Sequence, residues 1–202
     1  MTQPQLYMIA GPNGAGKTTA AMTLLPDFLS VHEFVNADEI ARGLNPLEPE
    51  GQPVAAGRIM LERIDALIKE RKNFAFETTA ASRIFASKLK QAKASGYRTG
   101  LIYLWLPNVD VAKNRVRQRV AHGGHNIPDH DLERRFARSL RNLVHLYLPM
   151  VDEANVYDSS GPGTSAQDLI AGKIDARWNV VKTSVWASIE QTAKEGVSNG
   201  DC

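Results

Sequence analysis

Apolar positions along this chain follow two rhythms, and the alternation between them predicts the architecture. Short apolar runs of strand length fall at residues 5–10, 33–36, 74–76, 97–106 and 155–157. Between them, apolar residues recur every three or four positions, as Ala56, Ile59, Met60, Ile64, Leu67 and Ile68 do within 54–72. The same helical period predicts helices over 17–25, 109–121, 129–148 and 176–194. Strands alternating with helices argue for βαβ units. The expected fold is α/β: three layers, with a mainly parallel five-stranded sheet between helices.

Breakers and caps sharpen that outline. Pro26 is expected to stop the first helix, and Pro107 the apolar run 97–106, the expected central strand. Ser82 is a candidate N-cap for a helix that Gly96 closes. Residues 43–53 carry Pro46, Pro49, Pro53, Gly43 and Gly51 and read as a surface loop. His122-Gly123-Gly124-His125 separates two helices, and 161–163 read as a turn. Trp178 and Trp186 are expected on one last helix, packing it onto the sheet. Residues 1–194 then form one domain, with 109–141 as a helical lid and 195–202 as a flexible tail.

Composition narrows the classes. At 202 residues and 43% hydrophobic, the chain has material for one α/β core. A net charge of +2 singles out neither a nucleic-acid nor a membrane partner. No stretch approaches the roughly 18 consecutive apolar residues of a membrane helix. Cys202 is the one cysteine, so no internal disulfide forms, which suits a reducing cytoplasm. A cytoplasmic protein is expected.

The sharpest chemical signal is Gly11-Pro12-Asn13-Gly14-Ala15-Gly16-Lys17-Thr18, followed by Thr19. It matches G-x-x-x-x-G-K-[ST] without a mismatch, with an apolar strand before it and a helical segment after. Glycines let backbone N–H groups turn onto phosphate oxygens, and the helix start adds its positive end. Lys17 is expected on the β- and γ-phosphates of ATP, and the Thr18 hydroxyl on Mg²⁺.

Two predicted strands end in acids, at Asp38 and at Glu77-Thr78. Ligands of parallel sheets sit at the carboxyl ends of strands, so both acids should face the crevice of the P-loop. Asp38 fits either the base that accepts a hydroxyl proton or the N-cap of the next helix. Glu77 fits a water on Mg²⁺, an acceptor hydroxyl (with Thr78), or a capping loop. Residues 101–106 run into Pro107-Asn108 instead of an acid, which weighs against a standard motor or switch ATPase.

Residues 113–141 hold eight of the 24 Lys and Arg. Arg115 and Arg119, four apart, share a helix face, and Arg134, Arg135, Arg138 and Arg141 follow the glycine turn. Arginines on two joined helices suit a lid that neutralises charge on a phosphoryl group in transfer. Two or three of them are expected to do so, the rest to be surface. His122 and His125 lack the companions of a transition-metal site, and a substrate contact is expected of His125.

Taken together, these segments resemble the zeta-toxin family of P-loop kinases. The matching pieces are the P-loop, Val35-Asn36-Ala37-Asp38-Glu39-Ile40, Phe76-Glu77-Thr78-Thr79, Arg115-Val116, Arg119-Val120, Gly123-Gly124-His125-Asn126-Ile127-Pro128, Arg134-Arg135-Phe136 and Tyr157-Asp158-Ser159-Ser160. The resemblance implies an ATP- and Mg²⁺-dependent kinase acting on a small-molecule hydroxyl, UDP-N-acetylglucosamine in the characterised toxins, and an antitoxin partner. By motif, Asp38 resembles the catalytic base, Glu77 and Thr78 the acceptor turn, and Arg119 and Arg135 the lid arginines. By the same resemblance Arg115 is expected toward the adenine side. The chain is compact, and its 43–53 loop is short for gripping a nucleotide-sugar. The alternatives are another metabolite, an antibiotic or a nucleic-acid end as acceptor, or a binding module with slow ATPase activity.

Overall fold

The computed structural model describes residues 3–121, 127–161 and 168–195. Strands β1 (Gln5–Ala10), β2 (Glu33–Val35), β3 (Phe74–Thr78), β4 (Arg98–Trp105) and β5 (Glu153–Asp158) run in parallel in the order β2-β3-β1-β4-β5. Their carboxyl ends therefore open on one edge. There β1 delivers the P-loop, β2 Asn36, and β3 Glu77 and Thr78. Every residue from Leu6 to Ala10 is buried, so both faces of β1 are covered, as in a sheet between helical layers.

Among the described residues the sheet has seven strands rather than five. β6 (Asp168–Ile174) and β7 (Arg177–Val180) add an antiparallel hairpin beyond β5. The helix expected over 176–194 is therefore shorter at its start: the final helix is Thr183–Glu195. Asp175 takes a left-handed φ of 54°, which lets Ile174 and Arg177 pair across a two-residue turn. All of β7 is exposed, so no buried apolar run marks it in the sequence. Trp178 thus sits on β7, not on a helix, and meets Trp186 with ring centroids 5.3 Å apart.

The helices are α1 (Lys17–Asp27), α2 (Ala37–Leu44), α3 (Pro53–Glu70), α4 (Ile84–Ala94), α5 (Val109–Ala121), α6 (Asp129–Asn142), the short α7 (Leu148–Met150) and α8 (Thr183–Glu195). Pro26 lies inside the last turn of α1 rather than ending it, since one lost bond matters least where the helix is already finishing. A 3₁₀ turn, Pro49–Gly51, forms within the expected loop. Ser82 Oγ accepts the N–H of Ile84 at 3.3 Å, and Gly96 follows α4 with φ 82°. A π-helical turn, Leu143–Tyr147, joins α6 to α7. Among the described residues no helix is long and apolar enough to cross a membrane.

The main core gathers on β1, β3 and β4, where Phe74, Phe76, Leu101 and Tyr103 are essentially buried. Val116, Ile127 and Leu132, with Val120 against them, form a separate small cluster between α5 and α6.

Candidate functional site

The P-loop takes its shape from three glycines with positive φ: Gly11 (142°), Gly14 (78°) and Gly16 (79°). A Cβ on Gly11 would lie 2.4 Å from the Leu104 carbonyl oxygen. One on Gly14 would lie 2.9 Å from Ala112 O and 3.1 Å from Arg115 Cβ. So α5 packs directly on the loop. Gly16 caps α1 without any side-chain bond, and the N–H groups of Gly14, Gly16, Lys17 and Thr18 find no backbone acceptor among the described residues. Such a ring of donors at a helix start is an anion cradle. Asn13 lines the same space, and its Oδ1 is buried with no hydrogen-bond partner among the described residues.

Lys17 is 7% exposed and folds back on the loop, donating to Pro12 O at 3.1 Å. Its Nζ lies 3.8 Å from Glu77 Oε1. Burial pushes its pKa down; Glu77 and Asp38 pull it up, and Arg119 presses it down again. Glu77 is displaced in the opposite sense. Burial raises it, Lys17 and a bond from Thr18 oppose, and Asp38 and Glu39 reinforce the rise. Five charged side chains from four elements thus influence one another across the cleft.

Glu77 is the hub of the floor. Its Oε2 accepts from Thr18 Oγ1 at 2.7 Å and from Asn36 Nδ2 at 2.9 Å. Asn36 also caps α2, accepting the Asp38 N–H at 2.8 Å. The capping role left open for Asp38 therefore belongs to Asn36, to which the sequence reading gave no role. The signal was there: an Asn two residues ahead of a helix-compatible Asp is an Asx turn. Asp38 itself is exposed in the first turn of α2, and its carboxylate makes no hydrogen bond or ion pair among the described residues.

A cleft of about 700 Å³ joins these groups. Lys17, Thr18, Asp38, Glu77, Arg119 and Arg135 all line it, as do Thr19 and Thr78. Thr78 is buried and its hydroxyl accepts the N–H of Ala80 at 3.1 Å. Of the other basic residues, Arg117 pairs with Asp129, Arg134 with Asp131 and Lys113 with Glu133. Arg115 lines the cleft but is heavily engaged: its guanidinium donates to Ser159 O (2.7 Å), Gly161 O (2.9 Å), Ser160 O (3.1 Å) and Gly14 O (3.4 Å). Ser159 Oγ in turn donates to Ala15 O at 2.7 Å. The loop after β5 is thereby laced to the P-loop. His125 and His122 lie outside the described residues, as do 196–202 of the expected tail.

The donor set suits a hard cation. Magnesium takes one or two protein oxygens and completes its shell with water and phosphate oxygens. The Thr18 hydroxyl and the Glu77 carboxylate, 2.7 Å apart, are oxygens that could hold it directly or through water.

A family model described as AAA domain (AAA_33) matches residues 6–141, from β1 into α6. The chain belongs to that family. An uncharacterised protein of Haemophilus influenzae is 28% identical over 134 residues, 66% of this chain and 94% of that one. Among solved structures, AvrRxo1-ORF1:-ORF2 with ATP aligns at TM-score 0.72 and 16% identity, over 93% of this chain and 63% of that one. The chain thus spans less than two thirds of the AvrRxo1 chain it matches. A structure from the PezAT chromosomal toxin–antitoxin system of Streptococcus pneumoniae aligns at TM-score 0.58 and 16% identity, over 98% and 89%. A gluconokinase from Sinorhizobium meliloti aligns at 0.50 and 12%, over 97% and 92%. At these identities the likeness is one of fold, a P-loop NTPase and kinase-like α/β architecture. Membership is thus in the AAA domain family, a broader grouping than the zeta-toxin kinases the motifs resemble.

Proposed function

We propose that this AAA domain is a kinase that moves the γ-phosphoryl group of ATP to a hydroxyl of a small molecule. The observation that carries this reading is Asp38: an unengaged carboxylate on the same cleft as Lys17, Thr18, Arg119 and Arg135. A hydrolytic switch needs no such group opposite its phosphates, whereas transfer to an alcohol does. The kinase-like fold and the motif resemblance to zeta toxins point the same way.

In this reading the P-loop amides and Lys17 hold the β- and γ-phosphates. Mg²⁺, held by Thr18 with Glu77 behind it, would neutralise phosphate charge. Asp38 accepts the proton as the acceptor oxygen bonds to the γ-phosphorus and the bond to the ADP oxygen breaks; the proton then passes to solvent. Arg119 and Arg135 face charge on the transferring oxygens. Helices α5 and α6 act as the lid, held together by the small cluster of Val116, Ile127 and Leu132. Glu77 serves the metal side, and Thr78 shapes the acceptor turn.

UDP-N-acetylglucosamine is the first acceptor to test, with other hydroxyl metabolites next. Protein with Mg-ATP and the sugar nucleotide should yield a product one phosphate heavier by mass spectrometry. Asp38→Ala should keep ATP binding and lower transfer roughly 10²- to 10⁴-fold. Equal turnover in the variant would remove Asp38 from the base role, and ATP loss with no phosphorylated acceptor would favour a slow ATPase. The AvrRxo1 and PezAT likenesses also motivate a search for a protein antagonist. Its signature would be co-purification with loss of ATP access to the cleft.

A further inference from the structure

Arg135, Ser139 and Asn142 follow one another along α6 at spacings of four and three, which puts them on one face. Arg135 lines the cleft. Ser139, fully buried, shares a 2.7 Å hydrogen bond with Tyr103 of the central strand β4. Asn142, 5% exposed, spends both protons of its amide on the turn between β3 and α4, donating to Ala80 O at 2.8 Å and Ala81 O at 3.1 Å. The next position of a regular stripe would be Leu146. The π-helical turn Leu143–Tyr147 inserts one residue and brings Tyr147 into line instead, where its hydroxyl donates to Ser82 O. Three successive carbonyls of one turn are thus held from a single helical rod.

That turn needs holding. Ala80 sits at φ 59°, a left-handed conformation that is strained for a residue with a Cβ. Its N–H goes to Thr78 Oγ1 and its C=O to Asn142, so both its peptide groups are fixed by side chains. Thr78, Thr79 and Ser82 of the same segment line the cleft.

We propose that Asn142 and Tyr147 are positioning residues for the acceptor. They hold the β3–α4 turn in register with Arg135, so that one rod sets both the arginine on the phosphoryl group and the surface that receives the acceptor. This rests on the kinase reading above.

The test pairs a measurement that needs no substrate with one that does. In substrate-free protein, Asn142→Ala should speed amide hydrogen exchange at residues 79–82 about tenfold or more and leave the P-loop amides unchanged. With the acceptor that the wild type phosphorylates, kcat/KM for acceptor should fall about 10- to 100-fold while KM for ATP stays within about twofold. Tyr147→Phe keeps the ring volume and should show a smaller loss with the same split, which covers the case in which Asn142→Ala does not fold. Asn142→Asp adds a pH signature. Ionised, the new carboxyl cannot donate to Ala80 O; protonated, it can. Activity relative to wild type should therefore rise as pH falls. Parallel losses in ATP and acceptor parameters, unchanged acceptor kinetics, or a wild-type pH profile for Asn142→Asp would each overturn the proposal. A wild type that phosphorylates nothing would remove the kinase reading, while the exchange data would still decide whether Asn142 holds the turn.

Discussion

The two ends of the cleft are built differently. At the phosphate end nearly every polar side chain is already spoken for: Lys17 by Pro12 and Glu77, Thr18 and Asn36 by Glu77, Arg115 by four carbonyls. At the other end Asp38 stands in solvent without a partner among the described residues. The first end is preorganised, so a ligand entering it meets groups that need not move far. In the proposed kinase the second keeps the Asp38 carboxylate unassigned until an acceptor arrives. A site divided in this way binds one component by complementarity and discriminates the other by closure.

Lys17→Ala should break the comparison most severely. It removes the buried ammonium from the cradle and leaves Glu77 buried beside nothing but hydrogen bonds, so nucleotide affinity and turnover fall together. A loss of about 10³ in kcat/KM for ATP is expected, measured by steady-state kinetics alongside calorimetric ATP titration. An inert substitution would sink the phosphate assignment itself. Arg119→Ala and Arg135→Ala should separate the two ends more finely. Each should lower kcat by about 10² and change ATP affinity little, because charge on the transferring oxygens develops only during reaction. The opposite pattern, intact kcat with weak ATP binding, would move these arginines into the preorganised half.

The same division governs what could be read from the sequence. The P-loop was legible because its geometry is written in neighbouring residues: glycines where φ must be positive, a lysine and a threonine on the helix that follows. The five parallel strands were legible from apolar runs, since buried strands leave no choice of residue. The engagement of Arg115 was not, because its carbonyl partners at Ser159 to Gly161 lie more than 40 residues away and any residue supplies a carbonyl. The same holds for Asn142 and Tyr147, each more than 60 residues from the turn it holds. β7 escaped for a different reason. Exposed along its whole length, it is placed by pairing with β6 and by the turn at Asp175, and its polar–apolar alternation runs for only four residues. For Asp38, spacing put it at a strand end but left base and cap equally open; only the bond from its N–H to Asn36 removes the second.

The smallest effect, at Asp158, tests whether the phosphate end is as interlocked as its bonds imply. Asp158 closes β5, its Oδ1 accepting from Ser160 N at 3.0 Å and Ser160 Oγ at 2.6 Å, and its Oδ2 from Lys182 at 3.4 Å. It thereby shapes the segment whose carbonyls receive Arg115. Burial by itself would raise its pKa, but the bonds from Ser160 and the charge of Lys182 outweigh burial and hold the carboxyl below its ordinary 3.8. A carboxylate with a depressed native pKa contributes stability that is present above the unfolded value and is lost as pH falls through the folded one. Asp158→Asn should therefore cost about 1 kcal/mol by denaturant titration at neutral pH, and the gap to wild type should shrink as pH drops below 3.8. In kinetics, a loosened clamp should raise KM for ATP a few-fold and leave KM for the acceptor alone. Were the acceptor term to move instead, the loop after β5 would belong to the adaptable end of the cleft, and the rigid half would stop at Glu77.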